Sequence, residues 1–446
     1  MRTKVVCALG AFVIFAAVSF IEAQTFTVLH RFHLKDGQAP QGTLIRDSAG
    51  NLYGTTVFGG STATGGQSGY GTAFRLNSNG KETLLHSFSG QSDGATPYAG
   101  LTADAGSLYG TAYSYGDVNC PSTGQGGCGT VYRIDTAGQL TVVHTFTGAF
   151  NTPTDGTYPY VSLLKDKSGN LFGTTSQGGI SCFDTDGCGV VFELTSTGTE
   201  SVLYSFVAFS NAAADGGVPM SSLVEDAAGN LYGTTFFGGL LSCNSQSPNT
   251  GCGTVFELSP SSSGWTETVL YRFTGNSDGG APMAGLLIDP QGNLYGTTQD
   301  GGDLTCSELG QTGCGTIFKL THGSGGWSEN VLYAFPGGAN GFAPQSQLVR
   351  DAAGNLYGTT VDGGDLTCLY NSPNWGCGTV FKLDARGRET VLHSFSGPDG
   401  TFPVGGLLLD PSTNALYGTA TYGGDIANCS LAHYYSGCGT VYRITP

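Results

Sequence analysis

The sequence predicts an all-β fold: a seven-bladed β-propeller with four-stranded blades, closed by an N-terminal strand that completes the last blade. Three observations predict it. A Leu-(Tyr/Phe)-Gly triplet recurs at Leu52, Leu108, Leu171, Leu231, Leu294, Leu356 and Leu416, with spacings of 56, 63, 60, 63, 62 and 60 residues. A near-constant period of that size marks one supersecondary unit repeated along the chain. Short apolar runs alternate with clusters of Gly, Asn, Asp and Ser, and no segment sustains a 3.6-residue apolar period, so the units are built from strands. The repeat is also cut out of phase at its two ends.

Each unit reads as four strands. The first ends in Asp: Asp47, Asp104, Asp166, Asp226, Asp289, Asp351 and Asp410. A tight turn follows, such as Asp-Ala-Ala-Gly-Asn, whose Gly and Asn tolerate positive φ. The second strand is NLYGTT or a close variant. Its mid-strand Gly, for example Gly54 or Gly358, marks a close approach of backbone. A Gly-rich loop leads to the third strand, of the type GTVFKL, and a polar hairpin leads to the fourth, of the type ETVLYSF. A connection carrying Asp-Gly-x-x-Pro begins the next unit. The stretch TFTVLHRF at residues 25–32 is a fourth strand with no unit before it, and the last unit stops after its third strand, GTVYRI. Joining the two closes a ring and leaves no end to cap. Strands apolar at successive positions, such as TVFEL, fit blades buried on both faces.

Arg2 and Lys4 precede an apolar run of 16 residues, Val5 to Phe20, which is short for a membrane span. Residues 1–23 are therefore expected to be an export signal and residues 24–446 a single domain, secreted to the periplasm or the cell exterior and monomeric. No later segment is long and apolar enough to span a membrane. Loss of Arg2, Lys4 and Glu22 takes the net charge from −16 to −17. So acidic a protein repels phosphate backbones, which excludes nucleic acid as a partner and leaves cations or neutral, hydroxyl-rich ligands.

Twelve cysteines of the mature chain fall into six local pairs: Cys120/Cys128, Cys182/Cys188, Cys243/Cys252, Cys306/Cys314, Cys368/Cys377 and Cys429/Cys438. Each pair lies in one loop after a second strand, and different repeats hold their loops far apart. In an exported protein these are expected to be disulfides. Zinc is disfavoured, because the spacings are too wide and no His accompanies each pair. The first repeat lacks a pair and has Tyr70 where the others have the second cysteine.

The combination D-x-x-G-N-L-Y-G-T-T, G-G, G-C-G-T-V-F and D-G-x-x-P resembles the GloVer tandem repeat (Gloeobacter/Verrucomicrobia type) of exported bacterial proteins. The resemblance covers nearly the whole mature chain and implies a propeller-like fold. It implies no established activity and transfers no catalytic residue. Members often carry a C-terminal anchoring signal; this sequence shows none, so anchoring by that route is not expected.

Several patterns invite a functional reading. Asp36, Asp93, Asp155, Asp215, Asp278 and Asp399, with Asn340 as seventh, head the Asp-Gly-x-x-Pro segments. They read either as a carboxylate ring for cations or as turns in which Asp caps backbone N–H groups. Asn340 favours turns. His30, His86, His144 and His393 share a fourth-strand slot with Tyr204, Tyr271 and Tyr333, which marks a packing position rather than a catalytic one. The copies differ most in the cysteine loops, where aromatics stand near acids. From these the candidate binding set is Asp300, Asp303, Asp362, Asp365, Tyr370, Trp375, Tyr422 and Asp425. Aromatic faces beside carboxylates suit sugar rings, and Gly-Gly-Asp at Asp303, Asp365 and Asp425 offers the oxygen ligands that Ca²⁺ prefers. The competing reading is that the aromatics pack on their own disulfides and the acids only solubilise the surface. The expected function is a non-catalytic extracellular binding or scaffold module for a glycan or surface protein. The alternative is a polysaccharide hydrolase or lyase using acids of this face, with Asp300, Asp303, Asp362 and Asp365 as its best departure from the repeat.

Overall fold

The computed structural model describes residues 24–445 apart from 63–67, 118, 121–125, 136, 149–154, 181–186, 208–214, 244–249, 307–311, 369–374, 427–428 and 430–436. These residues form seven antiparallel sheets, one per repeat, arranged as a β-propeller. In blade 1 the order from the axis outward is Ile45–Arg46, Leu52–Thr56, Thr72–Leu76 and Glu82–Ser87. Blades 2 to 6 repeat this order; blade 3 adds a short pairing of Thr157–Pro159 with Leu171–Gln177. Blade 7 runs Leu408–Leu409, Leu416–Ala420, Thr440–Thr445 and then Thr25–Arg31. Thr25 pairs with Thr445 and Arg31 with Thr440, so the N-terminal strand closes the ring as expected. Among the described residues there is no α-helix, and none of their helices is long and apolar enough to cross a membrane.

The repeated residues explain the repeated geometry. In the first turn, Asp47 accepts from the Asn51 N–H (2.8 Å), the Asn51 amide (2.7 Å) and the Tyr53 hydroxyl (2.9 Å). The same set recurs at Asp226, Asp289 and Asp351, which is why Asp, Asn and Tyr keep their spacing. The mid-strand Gly makes room for the third strand's ring: a Cβ on Gly358 would stand 2.6 Å from Phe381 Cζ, and one on Gly54 2.7 Å from Phe74 Cζ.

Blades are locked together by aromatic pairs. The Phe ending each fourth strand meets the ring of the next blade's third strand edge-on, as in Phe32–Phe74, Phe206–Phe256 and Phe395–Tyr442. All seven pairs have centroids 5.0–5.3 Å apart and planes at 64–71°. Such pairs contribute about 0.5–1.5 kcal/mol each beyond their burial. Two third-strand rings are tyrosines, Tyr132 and Tyr442; both are fully buried, and their hydroxyls have no partner.

Candidate functional site

The loop leaving each second strand lies beside the connection between blades. Backbone bridges Gln38–Phe58, Gly217–Phe237, Gly280–Asp300, Phe342–Asp362 and Thr401–Tyr422 tie the two together. The Asp-Gly-x-x-Pro segments and the cysteine loops therefore share one face. Five of the expected disulfides are present: Cys120–Cys128, Cys243–Cys252, Cys306–Cys314, Cys368–Cys377 and Cys429–Cys438. Cys188 is also disulfide-bonded, and its expected partner Cys182 lies outside the described residues. The second cysteine of each pair is buried in a blade core, so each bridge anchors its loop to the ring. The disulfides suggest an oxidising, extracellular environment. In blade 1 Tyr70 packs edge-on against Tyr115 at 5.3 Å instead.

The candidate residues of this face separate into four kinds. Asp303 and Asp365 are turn residues: each accepts from the N–H (2.9 Å) and the hydroxyl (2.7 Å) of the Thr two residues on, Thr305 and Thr367. Asp425 lies 3.0 Å from His33 Nε2. Asp300 and Asp362 sit at equivalent places in blades 5 and 6, each with a buried Oδ1 that has no hydrogen-bond partner. Burial alone pushes their carboxyls up, to about 6 and about 7, with no second charge contributing to either. Trp375 is half-buried, the Tyr422 ring meets Phe402 at 6.2 Å, and Tyr370 lies outside the described residues. A calcium ion takes roughly six to eight oxygens; among the described residues no group of three or more His, Cys, Asp and Glu is arranged to hold a metal ion.

The Asp-Gly-x-x-Pro carboxylates form turns, and they also meet the His/Tyr slot. Asp93 accepts from Ser89 N–H (3.0 Å) and pairs with His86 Nε2 (3.1 Å). Asp155 lies 3.1 Å from His144 and Asp399 2.8 Å from His393, while Tyr204 and Tyr271 donate to Asp215 (2.5 Å) and Asp278 (3.0 Å). A one-residue bulge in every fourth strand, such as that opposite Ala73 and Phe74, turns the slot toward its Asp. The first Glu of the next blade's fourth strand completes the junction. Burial and the neighbouring Asp push Glu267 up to about 7 beside Asp215, with Arg272 opposing, and Glu329 up to about 7 beside Asp278. Glu200 rises to about 6 by burial, with His144 opposing and Asp155 adding to the rise. Asn340 instead donates to Glu389 at 2.8 Å. Sequence reading found the His/Tyr slot and the Asp, but not that they touch.

It also missed the axial channel. The residue before each Asp-Gly-x-x-Pro proline has φ between 53° and 60°, the left-handed region, at Ala39, Thr96, Tyr158, Val218, Ala281, Ala343 and Phe402. This strained kink brings the residue after each proline to the channel mouth. Around the ring these are Gln41, Tyr98, Tyr160, Met220, Met283, Gln345 and Val404, all half-buried. With the small residues below them they form a depression open to solvent, and no Asp, Glu, Lys, Arg or His lines it. Tyr98 stacks on Tyr160 at 4.9 Å, and Tyr113 meets Tyr98 at 5.3 Å and stacks on Tyr158 at 4.8 Å. Burial pushes the phenols of Tyr98 and Tyr160 at the mouth and of Tyr113 beside them up, Tyr113 to about 12, so they stay neutral. On the opposite side Gln345 donates to Gln299 at 3.3 Å. The one sequence signal for the mouth is the variable residue after each proline.

A family model described as the Gloeobacter/Verrucomicrobia repeat matches residues 14–243 and again 185–432. No curated protein matches the chain. Among solved structures, a fungal alcohol oxidase of the AA5 family in complex with copper is similar at 13% identity and TM-score 0.54, over 95% of this chain and 76% of that one. A luciferin-regenerating enzyme (12% identity, TM-score 0.40, 95% of each chain) and a gluconolactonase-family protein (14%, TM-score 0.37, 71% and 80%) are more distant in shape. At these identities the likeness is one of fold.

Proposed function

We propose, for a chain that belongs to the Gloeobacter/Verrucomicrobia repeat family, the role of an exported, non-catalytic propeller that binds a neutral, hydroxyl-bearing ligand, a glycan above all, on its disulfide-braced face. In this reading residues 1–23 are the export signal and 24–446 one propeller domain. The observation that carries it is the uncharged, tyrosine-rimmed mouth at the centre of that face, in a chain whose net charge is −16. Loops anchored by disulfides on a rigid ring hold their shape before a ligand arrives, which lowers the ordering cost of binding. The hydrolase or lyase reading needs a carboxylate pair flanking the ligand. Asp300 and Asp362 give it no support, since each is buried with no second charge acting on it. A glycan array probed with the mature protein, with and without Ca²⁺, tests the proposal. Retention of neutral glycans without product release supports it; failure to retain any glycan, or turnover of a retained one, overturns it.

A further inference from the structure

We propose that the axial channel mouth is itself the ligand site, and that it takes an uncharged sugar ring, with Tyr98 and Tyr160 as the apolar wall and Gln345 and Gln41 as the hydroxyl-reading side. The inference rests on the binding role proposed above and names its site and ligand class.

Three physical arguments select this place over the loops around it. Specific recognition requires asymmetry, and a seven-fold ring is asymmetric only where its copies differ. The mouth position is Gln, Tyr, Tyr, Met, Met, Gln and Val around the ring, so blades 2 to 5 present a continuous apolar arc and blades 6 and 1 present amides. A pyranose has the matching two chemistries: C–H faces that pack on aromatic rings and an edge of hydroxyls that pair with amides. A wholly apolar ligand would strip water from the Gln amides without replacing their hydrogen bonds, and an ionic one would find no counter-charge. Next, the phenols of Tyr98 and Tyr160 are half-buried and make no hydrogen bond to the described residues, which leaves donors at the rim. Finally, the mouth is rigidly framed by the ring. Just below the mouth neighbouring blades pack backbone to backbone: a Cβ on Gly42 of blade 1 would stand 2.6 Å from Gly100 N of blade 2, and one on Gly405 of blade 7 2.7 Å from Gln41 O of blade 1. A frame that holds its shape before the ligand arrives lowers the ordering cost of binding.

The test uses the mature protein and the neutral glycan that the array retains most strongly. Tyr160→Ala and Gln345→Ala are each expected to weaken its binding about tenfold or more, as loss of a central contact does. Val404→Trp, which fills the mouth from the other side, should abolish it, and Trp375→Ala on a neighbouring loop should weaken it less than Tyr160→Ala. Tyr160→Phe, which keeps the wall, guards against misfolding and should retain at least partial binding; melting temperatures of all variants are compared. If the wild type binds a glycan and the folded mouth variants bind it equally well, the site is elsewhere and this inference fails while the binding role stands. If the wild type binds no glycan, the binding role itself fails, and this inference with it.

Discussion

Replacing Glu267 by Gln should stabilise the protein at pH 8 and leave it nearly unchanged at pH 4.5. Glu267 is half-buried beside Asp215, its Oε1 has no partner, and burial followed by the Asp215 charge raises its carboxyl to about 7 from an ordinary 4.5. The folded state then holds a proton that the unfolded chain has released, so this group's contribution is fully present below pH 4.5 and lost as pH rises through 7. The full shift corresponds to a ceiling of ~3 kcal/mol, and solvent screening at a half-buried group reduces this to about 1 kcal/mol. Gln removes the charge and therefore the loss. Glu329, beside Asp278 in the next junction, follows the same logic. The junctions share no side chain, so the double variant should gain about 2 kcal/mol at pH 8. In a chain of this size that is a rise of roughly 2–4 °C in melting temperature. Burial also raises Asp93, Asp155 and Asp399, but bonds from His and from Ser or Thr outweigh it and hold them below the usual range, so their contribution runs the other way. The difference between variant and wild type cancels these terms. Scanning calorimetry at pH 4.5 and pH 8 is the measurement. An equal gain at both pH values, or a loss at pH 8, would refute the argument.

Three further outcomes follow from the packing. Tyr442→Phe removes a buried hydroxyl that has no partner, at a site where five other blades hold Phe, and should stabilise by about 1–2 kcal/mol in urea unfolding; destabilisation would mean the hydroxyl is satisfied. Starting the chain at residue 33 deletes the outer strand of blade 7, the Phe32–Phe74 pair and the Phe26–His393 stack at 3.6 Å, so melting should drop by about 10 °C or more. A truncated form that melts like the intact one refutes closure. Non-reducing peptide maps should place Cys182 with Cys188, as in the other repeats; a free Cys182 thiol would break the pattern.

How much of this was legible in the amino-acid sequence depends on how far apart the interacting residues lie in it. The turn of Asp351, Asn355 and Tyr357 spans six residues, and each described disulfide spans eight or nine, so both are written inside one repeat. The mid-strand Gly also announces itself, because only a missing side chain lets the Phe381 ring reach the Gly358 backbone. Seven copies and a spare N-terminal strand then imply a closed ring. The His86–Asp93 contact, only seven residues apart, was legible in principle but hidden by a bulge that no composition signals. The channel mouth is different. It draws one residue from each repeat, and Tyr98, Met283 and Gln345 become neighbours only when the ring closes. The same holds for Glu267 and Asp215, which belong to different blades. The blades, their number and their local cysteine pairs are encoded within single repeats, because those contacts are short-range and recur. Only tertiary structure decided which variable positions face the axis, because a ring converts residues some sixty positions apart into one uncharged surface.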